Sequence, residues 1–265
     1  MDLSIIIPVF NSENILENLI DKINDSLNKV SFSKKYEVIL INDCSSDLSW
    51  EKIKMISSKF PNVKGINLQE NYGQHNAIMA GLNECKGDVI ITMDDDMQHP
   101  PESITDIYNE LTKNFDVCYV YYLYRQHPLW KKFVSWSNNV ISSYLLNKPL
   151  KIYLSSFKGF KKKILLDITK YQGNEVYLDG LILKSTRNIS MINVKHYKRL
   201  HGTSNYDFKR LMSLWSDMAV NFPVYPIRSA SIVGVVIKYL IIFYRKIFSA
   251  GKTNKKQYII KEKTY

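Results

Sequence analysis

Three consecutive carboxylates, Asp94-Asp95-Asp96, stand where an apolar stretch, Asp88–Met93, runs out, and a Pro100-Pro101-Glu102 helix start follows them. Side chains alternate along an extended segment, so Asp94 and Asp96 share one face while Asp95 points away. Two carboxylates within reach of one point suit a hard divalent cation. Magnesium takes only one or two protein carboxylates and completes its octahedron with water and substrate phosphates, so a phosphate-bearing substrate is the natural third party.

The elements that must position these carboxylates alternate regularly. Leu3–Val9 reads as a buried strand, and Ile15, Leu16, Leu19, Ile20, Ile23 and Leu27 keep helical spacing after an expected Asn11/Ser12 cap. Tyr36–Ile41 is a second strand ending at Asn42-Asp43. After it come a helix over Leu48–Phe60, a strand over Val63–Leu68 and a helix over Gln74–Cys85. The Asp88–Met93 strand, a helix over Pro101–Lys113 and a strand over Asp116–Tyr121 continue the series. Such alternation implies right-handed crossovers and an α/β fold, with a mostly parallel, Rossmann-like sheet covered by helices on both faces. Ligands of these sheets bind outside the carboxyl ends of the strands. Asn11, Glu13, Asp43, Asp94 and Asp96 are therefore expected to converge on one rim. Asp43 has a second reading, as a cap for the helix that follows it. Residues 122–197 are less regular, with helical stretches expected at Trp130–Leu146 and Lys161–Lys170.

The chain has 265 residues, 45% of them hydrophobic, enough for one large core with an appendage. Its formal charge of +11 is unevenly placed, with 23 basic against 22 acidic residues up to Lys195 and 13 against 3 from Lys198 onward. That basic region is interleaved with Trp215, Phe222, Tyr225, Tyr239, Phe243 and Tyr244. It lacks a nucleic-acid docking motif and is interrupted by an apolar run, so an anionic membrane surface suits it better than nucleic acid. Cys44, Cys85 and Cys118 are odd in number and widely spaced, which fits a reducing compartment rather than a disulfide framework. The first strand begins at residue 3 with no basic leader before it, so no signal peptide is expected.

Phe208, Leu211, Met212, Trp215, Met218, Ala219 and Phe222 fall on one helical face within 206–222, as in an interfacial helix. The next apolar run, Ile232–Tyr244, has 13 residues, short of the roughly 18 to 20 that a spanning helix requires. Arg228 precedes it and Arg245, Lys246, Lys252, Lys255 and Lys256 follow, a distribution that favours lying in the membrane surface over crossing it.

Five ordered motifs resemble those of the inverting family-2 glycosyltransferases with a GT-A fold, and within them the polyprenyl-phosphate glycosyltransferases. They are Pro8-Val9-Phe10-Asn11, Ile41-Asn42-Asp43, the block Asn71-Tyr72-Gly73-Gln74-His75-Asn76-Ala77-Ile78-Met79-Ala80-Gly81, Gly87-Asp88 through Pro101-Glu102, and Arg199-Leu200-His201-Gly202-Thr203-Ser204-Asn205-Tyr206. The resemblance implies a nucleotide-sugar pocket lined by Pro8, Phe10, Glu13, Ile41, Asp43, Asp94 and Gln98, with the Asp43 carboxylate accepting from the base. It implies Asp94 on the ribose and sugar side and Asp96 on Mg2+ or Mn2+ bridging the diphosphate. Arg199, Ser204, Lys158 and Lys209, with Arg210, are implied at the acceptor phosphate, and the catalytic set is Asp94, Asp96 and Arg199.

The organisation expected is a catalytic domain over 1–205, with a nucleotide-sugar half to 121 and an acceptor half beyond it. Membrane-associated helices over 206–248 and a basic tail over 249–265 complete it. The implied function is metal-dependent, inverting transfer from a nucleotide sugar to undecaprenyl phosphate at the cytosolic face of the bacterial inner membrane. Two alternatives stand beside it: transfer to a hydroxyl of a lipid-linked oligosaccharide, with Asp179 or Glu175 as base, and a membrane-attached nucleotide-sugar-binding protein without turnover. Oligomeric state is left open. The sequence departs from the family pattern at Ser12, where an acidic residue is usual and Glu13 stands alongside. It departs again at Tyr122 and Asn205, where cations are usual, at Ser155-Ser156, and in having one apolar run in place of two spanning helices.

Overall fold

The structure, a computed structural model, describes residues 1–122 apart from 31 and 33, 139–194 apart from 141, 144, 145 and 175, and 256–265. Among the described residues up to 194 lie seven strands and six helices, alternating as far as β5: β1 Leu3–Val9, α1 Leu16–Lys29, β2 Tyr36–Asn42, α2 Ser49–Lys59, β3 Val63–Leu68, α3 Gln74–Glu84, β4 Val89–Thr92, α4 Ser103–Thr112, β5 Val117–Tyr122, β6 Lys158–Lys161, α5 Lys162–Ile168, α6 Leu178–Ser185 and β7 Ile189–Val194. A last strand, β8, covers Ile260–Lys263. The sheet order is β7-β5-β6-β4-β1-β2-β3-β8, with β6 and β8 antiparallel to their neighbours and the rest parallel. The mostly parallel, helix-flanked sheet is the expected one.

Every residue of β1 is buried, because both faces of the sheet are covered. Leu3, Ile5, Ile7 and Val9 join a core with Leu16, Leu19 and Ile20 of α1, Ile53 of α2 and Ile107 of α4. Ile6 and Ile41 belong to the other face, where Gly81 lets α3 come so close that a Cβ there would lie 2.7 Å from Ile41 Cδ1 and 2.8 Å from Ile6 Cγ2.

At the amino end of the sheet the backbone closes tightly on Gly87. Its N–H donates to Ser4 Oγ at 2.8 Å, and Ser4 Oγ donates to the buried Glu37 carboxylate at 2.7 Å. Glu37 also accepts from Lys86 N and from Lys64 Nζ, tying β1, β2 and β3 to the turn before β4. A Cβ on Gly87 would lie 2.5 Å from the Ser4 backbone nitrogen and 2.8 Å from the Leu3 carbonyl carbon. Backbone in a central strand has nowhere to go. Gly87→Ala is expected to cost about 1–3 kcal/mol, as overpacking does, read as a lower urea midpoint with an unchanged slope.

Two expectations at helix starts are replaced. The Asn11/Ser12 segment does not cap α1 through a side chain; Asn11 Oδ1 accepts from Ser46 N, and the Ser12 hydroxyl turns to Asp95. The start of α2 is held by Asp47 Oδ1 on Ser49 N at 3.0 Å and by Glu13 Oε2 on Leu48 N at 2.7 Å, not by Asp43.

The chain divides into one unit of residues 1–126, 152–203 and 257–265 and a second of 127–151 and 204–256. The last nine residues, read from sequence as tail, thus belong with the sheet. β8 pairs with β3, Trp50 Nε1 donates to Glu262 at 2.9 Å, and Lys263 meets Glu84 at 2.7 Å. Among the described residues no helix is long and apolar enough to cross a membrane. The stretches expected over 206–222 and Ile232–Tyr244, and most of Trp130–Leu146, lie outside the described residues.

Candidate functional site

The site begins at a gap in the sheet. β1 pairs with β4 only as far as Ile6↔Thr92, whereas it stays paired with β2 through Val9↔Asn42. Pro8, buried and without an N–H to give, lies past the end of β4, where the ladder has already stopped. The chain runs from β1 outward to β2 and β3, then returns to place β4 on the other side of β1. That makes this the topological switch point at which open α/β sheets bind ligands.

Four loops meet at this gap, and hydrogen bonds join them into a closed ring. Asp43 N, after β2, donates to Val9 O at 2.9 Å. The Asp43 carboxylate accepts from Tyr72 N at 2.8 Å and Gly73 N at 2.9 Å, in the loop after β3. Gln74 Nε2 donates to Asp94 Oδ1 at 2.6 Å, after β4. Asp95 closes the ring by accepting from Phe10 N at 3.3 Å and Ser12 Oγ at 2.5 Å, after β1.

Asp43 thus serves as the tie that starts α3. Burial pushes its carboxyl above the ordinary carboxylate range, against the pull of the two amides. Gly73, the residue it holds, has φ 84° and ψ 156°, a region open essentially to glycine alone. No atom lies within 4 Å of a Cβ built there, so substitution is penalised by backbone strain and not by crowding. Gly73→Ala is expected to cost about 1–3 kcal/mol and, by re-aiming Gln74, to weaken nucleotide-sugar binding. Unaltered binding in a calorimetric titration would detach this loop from the site.

Asp94 is the most thoroughly held of the three carboxylates. Besides Gln74, Ser156 Oγ donates to its Oδ2 at 2.6 Å, and its own N–H donates to His99 Nδ1 at 3.0 Å. With Nδ1 accepting, a neutral His99 carries its proton on Nε2, 3.6 Å from Asp94 Oδ2. His99 is stacked on Phe157 with 5.0 Å between centroids and on Tyr122 at 6.0 Å. Asp96 Oδ1 accepts from Gln98 N at 3.1 Å. Asp95, read from sequence as a bystander to the cation, is the strut between the β1 and β4 loops, and burial raises its pKa to about 6.

Two carboxylates just past one strand end form a donor set of the kind hard divalent cations prefer. Among the described residues no three His, Cys, Asp or Glu side chains form a metal-binding group. A cation here would draw the rest of its shell from water and substrate phosphate, as the chemistry of Mg2+ and Mn2+ allows.

Other residues named from sequence are distributed unevenly. Phe10 is 51% exposed at the mouth of the gap. Ile41 is fully buried against α3, a core residue, so it has only backbone to offer a nucleotide. The Glu13 carboxylate is spent on the start of α2. Lys158 is 2% exposed and ion-paired with Asp179, itself 7% exposed, which also accepts from Tyr119 OH at 2.8 Å. A lysine buried in a pair cannot reach out to an acceptor phosphate, and Asp179 is not a free base. Arg199, Ser204, Lys209, Arg210, Asn205 and Glu175 lie outside the described residues. Gln74, Ser156 and His99 were missed as site residues. Gln74 read simply as a helix start and Ser156 as a departure from pattern, while His99 carried no signal beyond lying two residues before Pro101.

Residues 4–169 match the family model described as glycosyl transferase family 2. An undecaprenyl-phosphate 4-deoxy-4-formamido-L-arabinose transferase from Pectobacterium atrosepticum is 31% identical over 237 residues, covering 89% of this chain and 72% of that protein. The protein of the same name from Salmonella choleraesuis is 33% identical over 235 residues, covering 88% and 71%. Among solved structures, glucosyl-3-phosphoglycerate synthase from Mycobacterium tuberculosis, with Mn2+, uridine diphosphate and glucosyl-3-phosphoglycerate, aligns with a TM-score of 0.61 at 16% identity, over 85% of this chain and 81% of that one. S. aureus TarS aligns with a TM-score of 0.56 at 21% identity, over 96% and 76%. The structural likenesses carry the GT-A fold, and the sequence match over more than half the chain carries the family: this is a member of glycosyl transferase family 2.

Proposed function

We propose that the chain transfers a sugar, with inversion, from a nucleotide sugar to a polyprenyl phosphate of the undecaprenyl phosphate class, with Mg2+ or Mn2+ at Asp94 and Asp96. The ring of bonds that gathers four strand-end loops around these two carboxylates carries the reading. The names of the relatives supply the acceptor class, and a fold neighbour holding Mn2+ with uridine diphosphate supports the donor class.

A divalent cation bound here supplies fixed positive charge where the leaving nucleoside diphosphate gains negative charge. The chain's own part is to orient. Gln74 and Ser156 fix the Asp94 carboxylate, the Gln98 amide fixes Asp96, and Phe10 offers an exposed ring to the base. A phosphate monoester is already ionised near pH 7, with a second pKa of about 6, so the acceptor needs cations beside it and no general base. Occupation of Asp179 by Lys158 and Tyr119 fits an acceptor of that kind better than a sugar hydroxyl. Arg199, Ser204 and Lys209 are the acceptor contacts we assign.

The membrane contact is the inner, cytosolic surface, and the attachment lies in its plane. Membership of β7 and β8 in one sheet supports an attachment in which Val194 and Ile260 stand on the same side of the bilayer. A single crossing by Ile232–Tyr244 would part β8 from its partner β3.

The test incubates purified full-length chain with Mg2+ or Mn2+, a panel of nucleotide sugars and undecaprenyl phosphate in detergent, with mass spectrometry of the lipid. A phosphate-linked glycolipid is expected. Product only with a lipid-linked oligosaccharide, or nucleotide binding without any product, overturns the acceptor assignment.

A further inference from the structure

His75 and Asn76 open α3 immediately after Gln74, and each keeps a buried polar atom, His75 Nδ1 and Asn76 Oδ1, with no hydrogen-bond partner. Such exceptions are few in native proteins and call for a cause. The Asn76 amide nitrogen is committed, to Tyr72 O at 3.0 Å and Asn174 O at 3.1 Å, which leaves its carbonyl oxygen unused. The His75 ring stands edge-on to Tyr177, with 5.5 Å between centroids.

Their location supplies the cause. On one side Gln74 binds Asp94, the carboxylate at the donor end of the gap. On the other, Asn174 and Tyr177 lead into Asp179. The two orphaned atoms therefore lie on the end of α3 that reaches Asp94 through Gln74 and meets Asn174 and Tyr177. Their chemistry narrows the ligand. Burial lowers His75 to about 4, with Asp179 as the largest opposing influence, so the imidazole is neutral near pH 7. A neutral ring has one donor and one acceptor nitrogen and no charge for a phosphate. In a nucleotide sugar, the neutral groups that both donate and accept nearest the diphosphate are the hydroxyl and amide substituents of the sugar.

We infer that His75 and Asn76 select the donor sugar: Asn76 Oδ1 accepts from, and His75 Nδ1 hydrogen-bonds with, ring substituents of the sugar being transferred. The inference rests on the nucleotide-sugar reading above and adds to it the residues that discriminate among sugars. A site built to bond a polar substituent rejects an analogue that lacks it, because its own buried groups are then left unpaired.

The test is calorimetric titration of the full-length chain with Mn2+ against UDP, UDP-glucose and UDP-4-deoxy-4-formamido-L-arabinose, for wild type, His75→Ala, His75→Gln and Asn76→Ala. The alanine variants are expected to weaken the best-bound UDP-sugar by roughly 10–100-fold while UDP changes less than about twofold, with partial recovery in His75→Gln. Equal losses for UDP and UDP-sugar, no loss for either, or a wild type that binds no UDP-sugar more tightly than UDP, overturns the assignment. UDP affinity doubles as the check on folding. Should the alanine variants not fold, wild type titrated with deoxy analogues of the best-bound donor gives the same reading, and undiminished affinity for all of them overturns it. A sugar-dependent loss in a protein that transfers nothing to undecaprenyl phosphate keeps this pair and removes the acceptor. Normal transfer with unaltered sugar affinity does the reverse.

Discussion

Asp96→Asn is expected to lower sugar transfer by about 10²–10³-fold, the usual size when one preorganised group that stabilises developing charge is removed, while the thermal midpoint stays near that of the wild type. An asparagine retains a carbonyl oxygen to accept the Gln98 amide, now 3.1 Å from Asp96 Oδ1. What it loses is one negative charge at the position we propose for the cation and the diphosphate. The half-saturating Mn2+ concentration should rise in parallel, and rates measured across a Mn2+ titration read both effects. Asp94→Asn is a poorer probe, since that carboxylate accepts from Gln74 on one oxygen and Ser156 on the other. An amide there can accept on one side only, so structure and charge would be lost together. Wild-type rates in Asp96→Asn would take that carboxylate out of the reaction.

Much of the fold was legible because its central strands are simple. β1, β2 and β3 are continuous apolar runs closed by polar residues, and their observed bounds agree with the expected ones to within a residue. β6 and β8 were not legible. Lys158–Lys161 and Ile260–Lys263 are four residues long and polar, and neither has the alternation or apolar density that marks a strand locally. β8 is an edge strand whose partner, β3, lies almost 200 residues earlier, so only tertiary pairing reveals it. The sequence reading of 249–265 as tail left the pairing of Ile260–Lys263 out for that reason.

The rule that ligands gather outside the carboxyl ends of parallel strands puts Asp43 and Asp94 on one rim, since it needs only strand direction and order, and bonds through Tyr72, Gly73 and Gln74 join their loops. It says nothing about which partner each side chain takes. Asp43 read equally well as a helix cap, and it became the anchor of Tyr72 and Gly73 because α2 already has Asp47 and Glu13 at its start. Strand alternation turns Asp95 away from the cation, yet β4 ends at Thr92, and the use of Asp95 as a strut depends on Ser12, 83 residues earlier. Contacts of that separation leave no trace in local periodicity.

Lys158→Met is expected to destabilise the protein by about 3–5 kcal/mol, because it strands the Asp179 carboxylate in a buried setting. Lys158 and Asp179 are 2% and 7% exposed, so water does little to screen or replace either charge. One bond survives the substitution, the Tyr119 hydroxyl at 2.8 Å, and burial beside Asp179 keeps that phenol protonated. A neutral donor cannot cancel a full charge. Lys158→Met/Asp179→Asn removes both charges and leaves Tyr119 an acceptor, so more than half of the lost stability should return. Urea titrations of the two variants and wild type at one pH measure the difference. A double variant no more stable than the single one would place the cost in packing around the lysine stem instead. The same pairing bears on the proposed reaction: a cation neutralised by Asp179 in the interior is not available to a lipid phosphate, so our proposal assigns that charge to arginine or lysine from another part of the chain.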